Sequence, residues 1–264
     1  MKYPHSLPQA HKQLLDDIIR VFSADPRVVG IGASGSFASD SMDDYSDLDI
    51  VIAVEPTHFD GVMKERFQLI DKVNGRVSGF TGEHVGEPRL IITMFEPNTL
   101  HVDFKFVSLP DAAVRVDDTQ VLWEKDSCLT DTFATREPHY PQPNAQWIED
   151  RFWTWIHYAG TKIARGEYFE TLEFISFLRH VALSPLALQQ AGLTPSGVRK
   201  IETRLPDFAE KLRKTVALPE KASLISAMTQ CIEIYRELRS KESVKKDTDA
   251  ETAAMAFWDK EFSK

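Results

Sequence analysis

The chain is poor in three things. Cysteine is nearly absent: Cys128 and Cys231 are the only two among 264 residues, and neither belongs to a Cys-x-x-Cys or Cys/His cluster. That excludes a disulfide framework and a thiolate zinc site, and a cytoplasmic location is expected. No run of 18 apolar residues occurs, so no transmembrane helix and no membrane partner are expected. The first 25 residues also lack the apolar core and small-residue cleavage site of a secretory signal. Positive charge is short as well, with 31 Lys and Arg against 40 Asp and Glu, a net of −9. The deficit lies in residues 1–140, where 13 basic residues face 23 acidic ones; residues 141–264 carry 18 against 17. A half with net charge −10 lacks the basic face of a nucleic-acid footprint, so no nucleic acid is expected as partner. It suits a metal site and a cationic small substrate. The plain alternative for most of these charges is a solvated acidic surface.

The hydrophobic share of 42% and charged share of 27% are ordinary, and the length suffices for two domains. Apolar residues recur at helical spacing over 7–24, through Leu14, Leu15, Ile18 and Phe22. Short strands are predicted at Arg27–Ile31 and Leu48–Val54, a helix over 57–73, and strands at Arg76–Phe80, Leu90–Phe95 and Leu100–Leu109. The three prolines of Arg136–Asn144 mark a linker. Beyond it, three apolar stripes (Ile148 to Ile163, Phe169 to Ala182, Ile225 to Tyr235) predict a helical bundle. The polar stretch Ser240–Ala250 reads as poorly ordered, with a last helix over Ala253–Phe262. The expected fold class is α+β: a mixed-sheet domain over 1–140 followed by an all-α bundle over 141–264.

Two motifs compete for the start of the chain. Gly30-Ile31-Gly32-Ala33-Ser34-Gly35 matches G-x-G-x-x-G after a strand, with Glu55 20 residues after Gly35. That is the pattern of a dinucleotide site and an NAD(P)-dependent oxidoreductase. Against it, the crossover helix would be Phe37–Ser46, too short and polar to cover a sheet, with three aspartates where the pyrophosphate would rest. The other motif is Gly35-Ser36, ten residues, then Asp47-Leu48-Asp49 leading into Ile50–Val54. Residues at spacing two on a strand share a face, so Asp47 and Asp49 form a close carboxylate pair. Such a pair needs a cation between its members, and a divalent metal is the natural one. The small-residue turn at Gly35-Ser36 offers backbone N–H groups to a phosphate. Asp103, inside the apolar run Leu100–Val107, supplies a third carboxylate. Three carboxylates on neighbouring strands suit two-metal phosphoryl transfer. The structural alternative pairs Asp103 with Lys105 on the same face.

With these residues in hand, the chain resembles the nucleotidyltransferase superfamily built on the DNA polymerase beta fold. The resemblance rests on Gly35-Ser36, Ser46-Asp47-Leu48-Asp49 and Asp103, over about residues 25–110. The helical half, with Lys162-Ile163-Ala164-Arg165-Gly166-Glu167, is similar to that of the aminoglycoside and lincosamide adenylyltransferases. The resemblance implies that Asp47 and Asp49 hold Mg²⁺, with two ions expected, and that Asp103 binds the second or lies by the acceptor hydroxyl. It implies that Gly35 and Ser36 grip the β- and γ-phosphates of a nucleoside triphosphate, ATP first, and that Lys162, and less strongly Arg165, reaches the triphosphate. Lys162 has a plainer reading as a helix-end cation. The general base is Asp103 first, with Glu83, Glu87 and Glu167 as alternatives. The implied reaction moves AMP to a hydroxyl of a small acceptor, aminoglycoside-like and so tied to antibiotic resistance, releasing pyrophosphate. Rival functions are a protein-modifying nucleotidyltransferase of toxin–antitoxin type and a non-catalytic nucleotide-binding module. Trp147, Trp153 and Trp155 read as core or domain-interface residues, and His84, His101, His157 and His180 show no ligand spacing. Asp43 and Asp44 read as loop surface. Oligomeric state has no signal in the sequence.

Overall fold

A computed structural model describes residues 3–262, and the chain divides into two compact units, Met1–Tyr140 and Pro141–Lys264. In the first unit the amphipathic stripe near the start forms helix α1 (Gln9–Ser23). Then come β1 (Val28–Ala33), the single turn α2 (Gly35–Ala38), β2 (Leu48–Val54), α3 (Phe59–Ile70), β3 (Arg76–Gly82), β4 (Glu87–Phe95) and β5 (Leu100–Ser108). An edge strand β6 (Gln120–Glu124) and helix α4 (Cys128–Ala134) complete the unit. These last two carry no periodic signal long enough to read from sequence. β1 continues through Gly32 and Ala33, which the sequence had suggested were already in the turn.

The strands make one six-stranded mixed sheet in the order β3-β4-β5-β2-β1-β6. Only β2 and β5 run parallel; every other neighbouring pair is antiparallel. One face buries Leu48, Ile50 and Ile52 of β2 and Val102, Phe104 and Phe106 of β5 beneath α1 and α3. Phe22 of α1 meets Phe104 and Phe106 with ring centroids 5.6 and 5.9 Å apart. The opposite face carries a smaller cluster, Val29, Ala53, Val107, Ala112 and Leu129, where α4 packs.

This second face explains two of the three motif glycines. A Cβ at Gly30 would stand 2.8 Å from the Leu129 Cβ, and one at Gly32 2.7 Å from Thr119 Cγ2. The glycines let α4 and the chain before β6 lie directly on β1. β1 and β2 are antiparallel and joined through one helical turn and a loop. A dinucleotide fingerprint requires parallel strands joined by a crossover helix, so that reading is overturned.

The second unit is helical: α5 (Ala145–Arg165), α6 (Tyr168–Leu178), α7 (Ser184–Gln190), α8 (Ile201–Arg204), α9 (Pro206–Arg213), α10 (Lys221–Arg239) and α11 (Thr248–Phe262). Asn144 caps α5 by accepting from the Trp147 N–H at 2.9 Å, and Gly166 ends it at φ +79°. A π-helical turn at Arg179–Leu183 joins α6 to α7. The continuous run Tyr168–Gln190 is long and apolar enough to cross a membrane by length and composition, a feature that counting uninterrupted apolar residues passes over. Its Ile175, Leu178, Ala182, Leu183, Leu186 and Leu188 are buried in the helical core.

That core holds one ionised cluster. Glu149 is fully buried and accepts from Tyr235 Oη at 2.5 Å, Arg239 Nη1 at 3.0 Å and the Asp247 N–H at 3.0 Å. Burial opposes ionisation of Glu149, but these donors outweigh it and hold the carboxyl below its usual range. Arg239 also pairs with Glu251 at 2.8 Å. The segment before α11, read from its polarity as poorly ordered, is therefore tied down. Asp247 bonds to Glu149, and Lys245 exchanges backbone hydrogen bonds of 2.8 and 3.1 Å with the Gln146 side chain.

Candidate functional site

The site is built on the parallel pair at the centre of the sheet. Alternation along β2 sends Leu48 and Ile50 into the core, and Asp49 to the opposite face. On β5 it does the same for Val102, Phe104 and Asp103. The register sets Asp49 directly beside Asp103. Strands in a sheet lie roughly 4.8 Å apart, so the two carboxylates are lateral neighbours. Both are half-buried. β2 has the bounds the sequence predicts, so Asp47 lies one residue before the strand and does not share its face with Asp49 by alternation; its charge nevertheless reaches Asp103. Burial pushes the Asp103 carboxyl above its ordinary value; His101 opposes this, and the charge of Asp47 adds to it.

The turn after β1 closes over this pair. Gly35 has φ +61°, and a Cβ there would fall inside van der Waals contact of the Asp49 Oδ2. Glycine is thus required twice, by the backbone and by the carboxylate. The Ser34 N–H donates to the Asp49 carbonyl at 3.0 Å, fixing the turn to β2. Ser36 Oγ is buried without a hydrogen-bond partner. A buried hydroxyl left unsatisfied costs free energy.

The loop leading to Asp47 is held by short-range bonds. Asp43 accepts from the Tyr45 N–H at 2.9 Å and from Ser46 Oγ at 3.1 Å, a local turn that agrees with a loop-surface role. The buried imidazole of His11 on α1 meets the Ser46 carbonyl at 2.7 Å, anchoring the residue before Asp47. Tyr45 is 97% exposed.

The remaining candidates separate from the carboxylates. Lys105 pairs with Glu87 at 3.2 Å, not with Asp103, so the structural alternative for Asp103 does not form. Glu87 is bound by Arg89 at 2.7 Å, and Arg89, partly opposed by burial and aided by Lys105, lowers its carboxyl to about 2. A carboxylate that acidic is a weak base at neutral pH. Glu83 is held by the Thr81 hydroxyl, which lowers it too. Lys162 sits in the last turn of α5, paired with Glu167 at 2.6 Å and Glu170 at 3.1 Å, which raise its pKa. Arg165 approaches Glu167 at 3.7 Å. Trp153 is core, Trp147 is 40% exposed and Trp155 packs against the helical core.

One residue was missed. His101 Nε2 lies 2.8 Å from Asp103 Oδ1. The signal was present: His101 stands two residues before Asp103 on one strand, so both share a face. No group of three or more His, Cys, Asp and Glu side chains among the described residues is arranged to hold a metal ion.

No protein-family model matches the chain, and no curated relative matches it in sequence. Twelve chains of solved structures are similar to it, two of them as follows. One is an aminoglycoside 6-adenyltransferase from Bacillus subtilis, 16% identical, covering 94% of each chain at a TM-score of 0.36. The other is a nucleotidyltransferase-like protein from Exiguobacterium sibiricum, also 16% identical, covering 92% of this chain and 78% of that one at a TM-score of 0.37. At 16% identity the chemistry of the site is a matter for this chain's own residues.

Proposed function

We propose that the first unit is a Mg²⁺-dependent nucleotidyltransferase that moves a nucleoside monophosphate, AMP from ATP first, onto a hydroxyl of a small acceptor. The observation that carries this reading is the side-by-side placement of Asp49 and Asp103 beneath the Gly35-Ser36 turn, with Ser36 Oγ buried and unpartnered. The donors are hard oxygens, which suit Mg²⁺. Mg²⁺ is commonly held by one or two carboxylates and the substrate's own phosphates, so no preformed cage of three acids is required. Asp47 and Asp49 would hold the ions, and Asp103 would bind the second or stand free beside the acceptor hydroxyl. Bound there, the metal would supply charge neutralisation on the attacking and leaving oxygens.

The protein's own groups have distinct tasks. Ser36 Oγ and the Gly35-Ser36 backbone meet the β- and γ-phosphates. Asp103, its carboxyl raised by burial, accepts the proton of the acceptor hydroxyl. The hydroxyl oxygen bonds to the α-phosphorus, the bond to the bridging oxygen breaks, and pyrophosphate leaves. Lys162 is committed to Glu167 and Glu170 within its own unit, and Lys162→Gln tests its expected part in nucleotide binding. The net charge of −10 over residues 1–140 favours a cationic, aminoglycoside-like acceptor.

The test is pyrophosphate release from labelled ATP and Mg²⁺ against a panel of aminoglycosides, lincosamides and proteins. Release that depends on one small acceptor, and is lost in a folded Asp49→Asn variant, supports the proposal. Release dependent on a protein acceptor assigns the protein-modifying reading instead. Nucleotide binding without release leaves a binding module, and no binding of any nucleoside triphosphate overturns the site.

A further inference from the structure

The outer face of α5 and α6 carries aromatic side chains that the proposed reaction does not use. Trp147, Arg151, Trp155, Tyr158 and Lys162 succeed one another at spacings of four, four, three and four, and so share one face of α5. Phe174 and Phe177 meet them from α6. The Trp155 and Phe177 ring centroids are 5.2 Å apart and edge-on, and those of Tyr158 and Phe174 are also 5.2 Å apart. With Glu170 and Glu173 these four rings line a groove of about 360 Å³.

Both ends of the stripe already hold a cation. The Arg151 guanidinium lies 4.3 Å from the Trp147 ring centroid, and the Lys162 ammonium 5.1 Å from that of Tyr158. Glu170 is committed too, accepting from the Tyr158 hydroxyl and pairing with Lys162. The middle is different. Among the described residues no Lys or Arg lies over Trp155, and Glu173 is exposed with no hydrogen bond or ion pair. A ring face carries negative quadrupolar potential and attracts a poorly hydrated cation.

We propose that this groove binds the alkylammonium group of a small organic cation, seated against Trp155 and Phe177 with Glu173 as counter-charge. The site lies wholly within the helical unit and stands independently of the nucleotidyl-transfer reading. The full chain is titrated with choline and tetramethylammonium while the indole N–H resonance of Trp147, whose ring centroid lies 5.6 Å from that of Trp155, is monitored. A saturable shift is expected, with binding about tenfold weaker in Trp155→Leu and roughly threefold weaker in Glu173→Gln. The neutral analogue of choline, with carbon in place of nitrogen, should give no shift. Glu173 is on the surface, so its variant leaves the fold intact and keeps the test decisive. No saturable shift, equal binding of the neutral analogue, or unchanged affinity in Glu173→Gln would overturn the proposal.

Discussion

Replacing Gly35 by alanine perturbs the candidate site at one atom, and its cost divides into two parts. The φ of +61° charges any L-residue about 1–2 kcal/mol. The added Cβ also enters van der Waals contact with the Asp49 carboxylate, which must move by about 1 Å to relieve it. Gly86 separates the two contributions. It has φ +77° and nothing within 4 Å of an added Cβ, so Gly86→Ala carries the backbone cost alone. Denaturant unfolding should show Gly35→Ala losing more stability than Gly86→Ala, by about 1 kcal/mol or more. In an Asp49→Ala background the excess should vanish, because the contact is gone; this double-mutant cycle isolates it. A misplacement of 1 Å in a reacting constellation costs about 100-fold in rate, so pyrophosphate release should fall by that order in Gly35→Ala and stay unchanged in Gly86→Ala. Equal losses for the two glycines, or an excess that persists without the Asp49 side chain, would refute the packing of Gly35 on Asp49.

The charged groups give two further outcomes. Glu149→Ala should destabilise the helical unit by about 3–5 kcal/mol in chemical denaturation, since it leaves the buried Arg239 with Glu251 alone and strips the Tyr235 hydroxyl and Asp247 N–H of their acceptor; Glu149→Gln, which keeps an acceptor oxygen, should cost less. Glu87, lowered to about 2 from 4.5, binds protons more weakly folded than unfolded. Its contribution is therefore present above pH 4.5 and lost as pH falls towards 2, and Glu87→Gln should flatten the stability–pH curve in that window; an unchanged acid limb would show that the Arg89 and Lys105 pairs contribute nothing.

The class of fold was legible because its signals are local. The apolar run Leu48–Val54 and the stripes of α1, α5 and α10 each lie within one element, and burying those faces leaves few choices. Short elements escaped: β6 spans five residues and α8 four, too few for any period to show. Gly30 and Gly32 were visible as a motif, yet their use in packing α4 depends on Leu129, about a hundred residues away.

The sequence by itself determined which residues were candidates for chemistry: two aspartates around the start of an apolar strand, a third inside another, and a glycine-serine turn before them. Those residue types stand out because charge in an apolar run is costly wherever the chain folds. Only the tertiary structure decided who meets whom. Asp49 and Asp103 become neighbours through a parallel register across 54 residues, Lys105 goes to Glu87 and leaves Asp103 to His101, and Glu149 finds Arg239 90 residues on. Periodicity fixes the direction in which a side chain leaves its own element. Which partner stands there is set by strand order and helix packing, which depend on the burial of the whole core.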